Sequence, residues 1–447
     1  MTKMNCICQR YFAVASKNDS KITQVFMKIS AVRVTPIAIK DPALLNAAGV
    51  HEPFGLRSII EVVGANGMVG LGETYGDAPV LDLLTRVKDS LVGLSAFDVN
   101  GLLARVIAES KLTKSAHIEM ELAPGSMGDN LSSSVFSGFK VAFLDLQARS
   151  LGIPLVELLG GAVRNKVAYS AYLFYKWDAS VDPEYAPDPY GEAVNPAQIV
   201  AQAKKMIDQY GFESIKLKAG VFPPDDEADA IKALKAAFPN HQLRIDPNGN
   251  WSVPTSVRIA KRLANDLEYY EDPTPGLEGM AEVYKATGLL QSTNMVVTSW
   301  NHLKRSVELD SVQIVLSDHH YWGGLRATQA LARTCQAFGL GLSMHSNSHL
   351  GISLMAMTHL AASVHHLTYA CDTHYPWQSD EILVGGKVPI VGGCVHVTDK
   401  PGLGVELDQA KLAELHQAFL NCRIRTRNDV TQMQKFRPDW STVKPRF

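Results

Sequence analysis

Six polar residues recur at intervals of 23 to 28 positions along this chain: Lys218, Asp246, Glu271, Asn294, Asp318 and His345. The first closes Lys216-Leu-Lys218, and residues two apart on a strand face the same way. Two ammonium groups side by side are expected to lower each other's pKa, and a lysine so depressed is a base near neutral pH. Asp246, Glu271 and Asn294 offer three hard oxygens, a set that suits Mg2+ and leaves positions for water and substrate. Asp318 is placed to accept a hydrogen bond from His345, fixing the imidazole tautomer and raising its basicity. Two bases flanking a metal-bound acid are what removal of a proton next to a carboxylate requires, with the metal stabilising the charge that develops.

Each of these residues stands at or just past the end of a short run: SIKLK, LRIDPN, EYYEDP, TNMVV, VQIVLSD and LGLSMHS. An interval of about 25 residues fits one βα unit, so the runs read as successive strands of a barrel whose C-terminal ends share one mouth. Strand candidates begin at Val167–Tyr172, Ser214–Lys218, Leu243–Asp246 and Leu267–Glu271, then near Asn294, Val312, Gly339 and Leu367. Strands two and seven of such a barrel lie on roughly opposite sides, which sets His345 across the mouth from Lys218.

An α+β unit precedes the barrel. ISAVRVTPIAI and LRSIIEVVGANGMVGLGE alternate like an antiparallel hairpin with an Ala-Asn-Gly turn, and VFSGFKVAFLDLQARSLG has a helical period closed by glycine. The expected organisation is a disordered leader over 1–27, a capping unit over 28–160, the barrel over 161–385, and a segment over 386–447 that returns to the cap. Two loops stand out: Leu44–Leu56, inside the N-terminal unit, and the acidic, proline-rich Ser180–Pro196 after the first barrel strand, which reads as a lid or a solvated insertion.

Composition bounds the function. A chain of 447 residues with 46% hydrophobic and 20% charged content is globular and long enough for two or more domains. Its formal net charge of −2, without a basic run, argues against nucleic-acid binding. Six cysteines without a CxxC pair read as free thiols in a reducing compartment. No apolar stretch spans a membrane and the leader lacks a signal-peptide core, so a cytoplasmic protein is expected.

The chain resembles the enolase superfamily, in its mandelate racemase-like subgroup, and within it the glucarate dehydratases. The matching residues are Lys216-Leu-Lys218, Asp246-Pro-Asn248, Glu271-Asp-Pro273, Thr293-Asn-Met295, Asp318, His345-Ser-Asn347-Ser-His349, Cys371-Asp-Thr-His374 and the segment Pro401 to Asp408. The resemblance implies a (β/α)7β barrel with an α+β cap, Mg2+ on Asp246, Glu271 and Asn294, and bases at Lys218 and at His345 with Asp318. It implies catalytic support from Lys216 and Asn248. Substrate contacts fall on His51, Tyr172, Lys216, Asn294, Ser346, Asn347, His374 and Arg427, and Ser126 stands where a hydroxyl is expected. The implied reaction is dehydration of an aldarate, D-glucarate first, to a keto-deoxy diacid; galactarate, talarate or a monoacid sugar, or binding without catalysis, are the alternatives. A small acid sugar is then the partner, with no nucleic acid or membrane, in a chain expected to self-associate. The acidic insertion and His51-Glu-Pro-Phe-Gly-Leu depart from the family pattern, and both touch the distal half of the substrate.

Overall fold

Alternation and turn chemistry build the first layer. A computed structural model describes residues 27–111 and 127–447, so the expectations for the leader and for Ser126 lie outside the described residues. Strands β1 (Ile29–Lys40), β2 (Phe54–Gly64) and β3 (Val69–Tyr75) form an antiparallel sheet in that order. The β2–β3 turn is Ala65-Asn66-Gly67, and Gly67 takes the positive φ of +83° that the turn needs. Helices α1 (Ala78–Lys88), α2 (Val99–Lys111) and α3 (Met127–Leu151) cover one face, around a core that includes Ile60, Leu84, Phe139 and Phe143. Helix α3 crosses β3 at Gly70 and Gly72, where a Cβ would overlap the carbonyl oxygens of Ala142 and Gly138.

After a single turn, α4 (Leu155–Leu158), the barrel begins with β4 (Lys166–Phe174). It continues through α5 (Pro196–Tyr210), β5 (Ser214–Lys218), α6 (Pro224–Ala237), β6 (Gln242–Asp246), α7 (Val253–Leu263) and β7 (Leu267–Glu271). The second half is α8 (Gly276–Thr287), β8 (Gln291–Thr293), α9 (Trp300–Leu309), β9 (Ile314–Ser317), α10 (Leu325–Phe338), β10 (Gly341–Met344), α11 (Gly351–Ser363) and β11 (Cys371–Asp372). Neighbouring strands pair in parallel from β10 back to β4, and β4 pairs in parallel with β11. Thr368 N donates to Leu342 O (3.0 Å) and Ser343 Oγ to Ala370 O (2.7 Å), joining β10 to the segment that enters β11 and closing the ring. The fold is the α/β barrel with an antiparallel cap that the sequence implied.

The helices begin and end on readable punctuation. Asn195, Ser252 and Ser299 cap α5, α7 and α9 through their side chains, and Gly211, Gly288 and Gly339 end α5, α8 and α10 in the left-handed conformation. Helix α11 differs: every residue from Gly351 to Ala362 is buried, as expected for a helix that is apolar all round and covered on every side. The C-terminal segment first adds β12 (Cys394–His396) antiparallel to β4, and only then does α12 (Gln409–Asn421) reach β1. Helix α13 (Asp429–Gln434) follows. No helix among the described residues is long and apolar enough to cross a membrane, and Cys335, Cys371, Cys394 and Cys422 are free thiols.

Two strand positions differ from the sequence reading. The fifth barrel strand is Gln291-Ser-Thr293, polar and fully buried, and the apolar Met295-Val-Val297 follows Asn294 in the loop. Its polarity is met in part: Gln291 Nε2 donates to Met280 O (2.6 Å) and Ser311 O (3.3 Å), while Gln291 Oε1 and Ser292 Oγ are buried without a partner. The last strand is Cys371-Asp372 rather than a run from Leu367.

Candidate active site

The barrel strands end where the ladder of polar residues begins. Lys216 Nζ is fully buried and contacts three carboxylates: Glu271 Oε1 (2.5 Å), Asp372 Oδ2 (2.7 Å) and Asp246 Oδ2 (3.4 Å). Lys218 Nζ pairs with Asp246 Oδ2 at 2.7 Å. The expectation of depressed lysines is therefore corrected. Burial lowers both, but Asp372 and Glu271 outweigh it at Lys216, and Asp246 does so at Lys218, so both lie above the ordinary lysine value. Opposite charges at contact distance dominate the repulsion between the two ammonium groups.

Three carboxylates, Asp246, Glu271 and Asp272, bring oxygens within 4.8 Å of one another. Burial and the Asp246 charge push Glu271 well above the usual carboxylate range, and the same two causes raise Asp272 to about 7. Such a cluster calls for more positive charge. Asp272, which the sequence reading passed over, is engaged by Thr293 Oγ1 and by Asn294 N (3.1 Å). Glu271 Oε2 is buried without a hydrogen-bond partner.

The Asn294 amide sits at a junction. One of its ends lies 3.3 Å from Glu271 Oε1 and 3.0 Å from Asp272 Oδ2, and the other lies 3.1 Å from His345 Nε2. With nitrogen toward the carboxylates, the amide donates to both; with oxygen there, it adds a third hard donor to Asp246 and Glu271 and turns its N–H toward the imidazole. The second arrangement is stable only with a cation among the oxygens. The donor set of Asp246, Glu271 and Asn294, with the orphaned Glu271 Oε2, thus fits a hard divalent ion.

On the far side His345 Nδ1 lies 3.1 Å from Asp318 Oδ2, the pairing expected from the sequence. Asp318 has a second imidazole partner that was not foreseen, His320, at 2.7 Å from Oδ1. Although burial opposes ionisation, His320 and then His345 hold the Asp318 carboxyl well below its ordinary value.

A cavity of about 100 Å3 opens beside this cluster. Of the predicted substrate contacts, His51, Tyr172, Ser346, Asn347, His374 and Arg427 line it, together with Lys218; Lys216, Asn294 and His345 are buried outside its lining. Tyr172 lies under Lys216, with Nζ 4.6 Å from the ring centre. Ser346 Oγ accepts from His374 N (3.0 Å), and Asn347 Nδ2 donates to Tyr75 OH (2.9 Å). Asn248 adopts a left-handed φ of 58° and donates to Asp246 Oδ1 through its backbone (2.9 Å), while its side chain faces Met295 Sδ (3.0 Å). Its visible role is to orient Asp246.

The distal end is balanced in charge. Arg427 makes a two-pronged pair with Asp429 (Nε–Oδ1 2.7 Å, Nη2–Oδ2 2.8 Å) and reaches Asp41 Oδ2 at 3.3 Å. Asp41 Oδ2 also meets His51 Nδ1 at 2.9 Å, leaving Oδ1 buried without a partner. Burial pushes His374 down to about 3, so it stands neutral, and its Nε2 is likewise orphaned. Much of the acidic insertion is exposed, as in a solvated loop, yet it is tied to the loop that carries His51. Tyr185, buried, donates to His51 O and accepts from Gln432 Nε2 (3.2 Å), while the buried Lys176 ties the insertion down through Asp188 (2.9 Å) and Gly191 O (2.8 Å).

Arg57, Glu73, Asp41, His320 and Asp372 escaped the sequence reading. Arg57 and Glu73 carried one available signal: they are charged residues on mostly apolar, buried strands, a signal that Glu61 on β2 shares. Asp372 lies inside a motif already singled out, two residues before His374.

Residues 198–411 match the family described as Enolase C-terminal domain-like. Across 424 residues, 93% of this chain and 98% of the relative, the sequence is 49% identical to a Streptomyces coelicolor protein named "Probable glucarate dehydratase". A Pseudomonas fluorescens enolase solved with magnesium, potassium and tartrate is 60% identical, with a TM-score of 0.92 over 94% of this chain and 100% of that one. A Gibberella zeae enolase solved with magnesium, formate and sulfate is 48% identical, with a TM-score of 0.90 over 94% of this chain and 98% of that one.

Proposed function

The chain belongs to the enolase superfamily, and we propose that it is an acid-sugar dehydratase that converts D-glucarate to 5-dehydro-4-deoxy-D-glucarate, with Mg2+ held by Asp246, Glu271 and Asn294. The observation that carries this reading is the junction at Asn294, whose amide touches the carboxylate cluster on one side and the histidine of an Asp–His pair on the other. The named dehydratase relative and the magnesium in two similar structures support it.

Bound among these oxygens, Mg2+ takes up carboxylate charge that otherwise holds both lysines protonated, and it acidifies the carbon next to the substrate carboxylate. Lys216 anchors that carboxylate. Lys218 or His345 removes the α-proton, according to the configuration of that carbon. The electron pair left by the C–H bond forms a C=C bond as the β C–O bond breaks. His345 Nε2 delivers a proton to the departing hydroxyl, so water leaves, and the enol product tautomerises to the ketone. His51, His374 and Arg427 receive the distal end.

Asp41 and Asp429 cancel much of the charge of Arg427, and this favours a second reading in which the distal end is a hydroxyl and the substrate a monoacid sugar. A panel of hexaric, pentaric and monoacid sugars with Mg2+, followed by keto-acid formation, separates the two. The glucarate reading expects the largest kcat/KM on D-glucarate and loss of turnover in His345→Ala. A preference for a monoacid, or wild-type turnover by His345→Ala, would sink it.

A further inference from the structure

The carboxylate of Asp318 is shared between two imidazoles, and the second leads out of the barrel into the N-terminal sheet. His320 meets Asp318 Oδ1 through Nδ1 (2.7 Å) and through its backbone N–H (2.9 Å), and His345 Nδ1 takes Oδ2 (3.1 Å). On its other side, His320 Nε2 lies 3.2 Å from Arg57 Nη2 and 2.9 Å from Ser353 Oγ. A guanidinium only donates, so Nε2 must accept and the hydrogen of His320 resides on Nδ1, aimed at Asp318. Arg57 is itself fixed by Glu73 Oε1 (2.9 Å), and Glu73 also accepts from Leu350 N and Ser353 N, both at 2.9 Å. All of these side chains are buried. Turning the Asp318 carboxylate would break three hydrogen bonds at once, so the direction of His345 Nε2 is set by groups outside the carboxylate cluster, of which Arg57 also lines the cavity beside it.

We propose that His320 and Arg57 are positioning residues for His345, acting through Asp318, so that strands β2 and β3 set the geometry of the histidine base. A filler role is the competing explanation. It predicts effects on stability alone, because His320 and Arg57 would then matter only for packing.

The kinetic arm rests on the dehydration proposed above; the spectroscopic arm does not. His320→Asn places an amide N–H near the Nδ1 position, whereas His320→Gln moves the amide toward Nε2 and leaves Asp318 Oδ1 without its side-chain donor. His320→Gln is expected to lower kcat by roughly ten- to a hundredfold, the effect of one charge-assisted hydrogen bond, with KM within about twofold. His320→Asn should recover most of that loss. Arg57→Lys, which keeps a cation beside Glu73 but not the fork, should fall between them. In full-length protein labelled with 15N-histidine and without substrate, His320→Gln should also shift the Nδ1–H resonance of His345. A His320→Gln enzyme with wild-type kcat per folded molecule, or equal losses in the Asn and Gln variants, overturns the proposal, as does an unmoved His345 resonance. If the wild-type enzyme turns over no acid sugar, the proposed function fails and the resonance alone decides this inference.

Discussion

At Lys216 the balance of charge, rather than the spacing of like charges, decides the protonation state, and the same balance predicts how the site answers to metal. Three carboxylates press on one another and on two lysines, with Glu271 the least stabilised as an anion. A dication that binds the folded site and not the unfolded chain stabilises by about 2.7 kcal/mol at a hundred times its Kd. Thermal melting should therefore rise with added Mg2+, and EDTA should reverse the rise. Glu271→Gln, which removes both a charge and the orphaned Oε2, should abolish the response, and a full Mg2+-dependent rise in that variant would refute the ligand assignment. Arg427 makes the second residue-scale prediction. Arg427→Lys keeps the charge but loses the two-pronged contact with Asp429, so KM for a diacid should rise about tenfold with kcat little changed. Most of these residues were legible because each sits at a strand end and the strands recur. Asp272, His320 and Asp41 were not, because their importance comes from partners far along the chain or from a neighbour whose role masked theirs. The lysine pKa was misjudged for a similar reason: Asp372 lies 156 positions away from Lys216 and strand spacing does not reveal it.

Elements carry the next layer of control. The insertion after β4 grips the loop that holds His51 from behind, through one hydroxyl, and contributes nothing to the cavity lining. Tyr185→Phe should then raise KM by about five- to tenfold, the cost of one buried hydrogen bond to a fixed loop, and leave kcat nearly unchanged. Equal loss in kcat would show instead that the insertion acts on the chemistry. Helix α11 gives a pH prediction. His359 on this buried helix accepts from Val156 N (3.2 Å) and meets Leu403 O through Nε2 (3.2 Å), and burial lowers it from 6.5 to about 4. Between those values the unfolded chain binds a proton that the folded chain refuses, so stability falls as pH drops from 6.5 toward 4. The loss is about 3 kcal/mol at most, and His359→Gln should flatten the corresponding slope of melting temperature against pH. Element order and most boundaries were readable from alternation, caps and glycines. Strand β8 was misplaced because its three residues are polar although buried, so apolar patterning is silent there.

At the scale of the whole molecule, the cap and the barrel are joined through buried charge as well as apolar packing. Glu73 on β3 receives Arg57 from β2 and two backbone N–H groups from the start of α11, so one carboxylate fastens the sheet to the barrel helix that follows the His345 loop. Burial alone would penalise this anion, yet Arg57 and the two N–H donors hold it below the usual carboxylate range. Removing such a partner leaves an uncompensated cation in the interior, at a cost of about 3 to 5 kcal/mol. The contrasting case is Asp225 with Arg258, a pair of comparable length (2.7 Å) whose side chains are 55% and 53% exposed. Water screens that pair, so its contribution is below about 1 kcal/mol. Chemical denaturation of Glu73→Gln should therefore show a large loss of stability, and Asp225→Asn almost none. If the Glu73 variant lost its stability as a separate early transition of the N-terminal sheet, the cap and barrel would be shown to unfold independently. A single transition shifted as a whole would instead show that the arrangement around His345 and the anchoring of the cap belong to one cooperative unit.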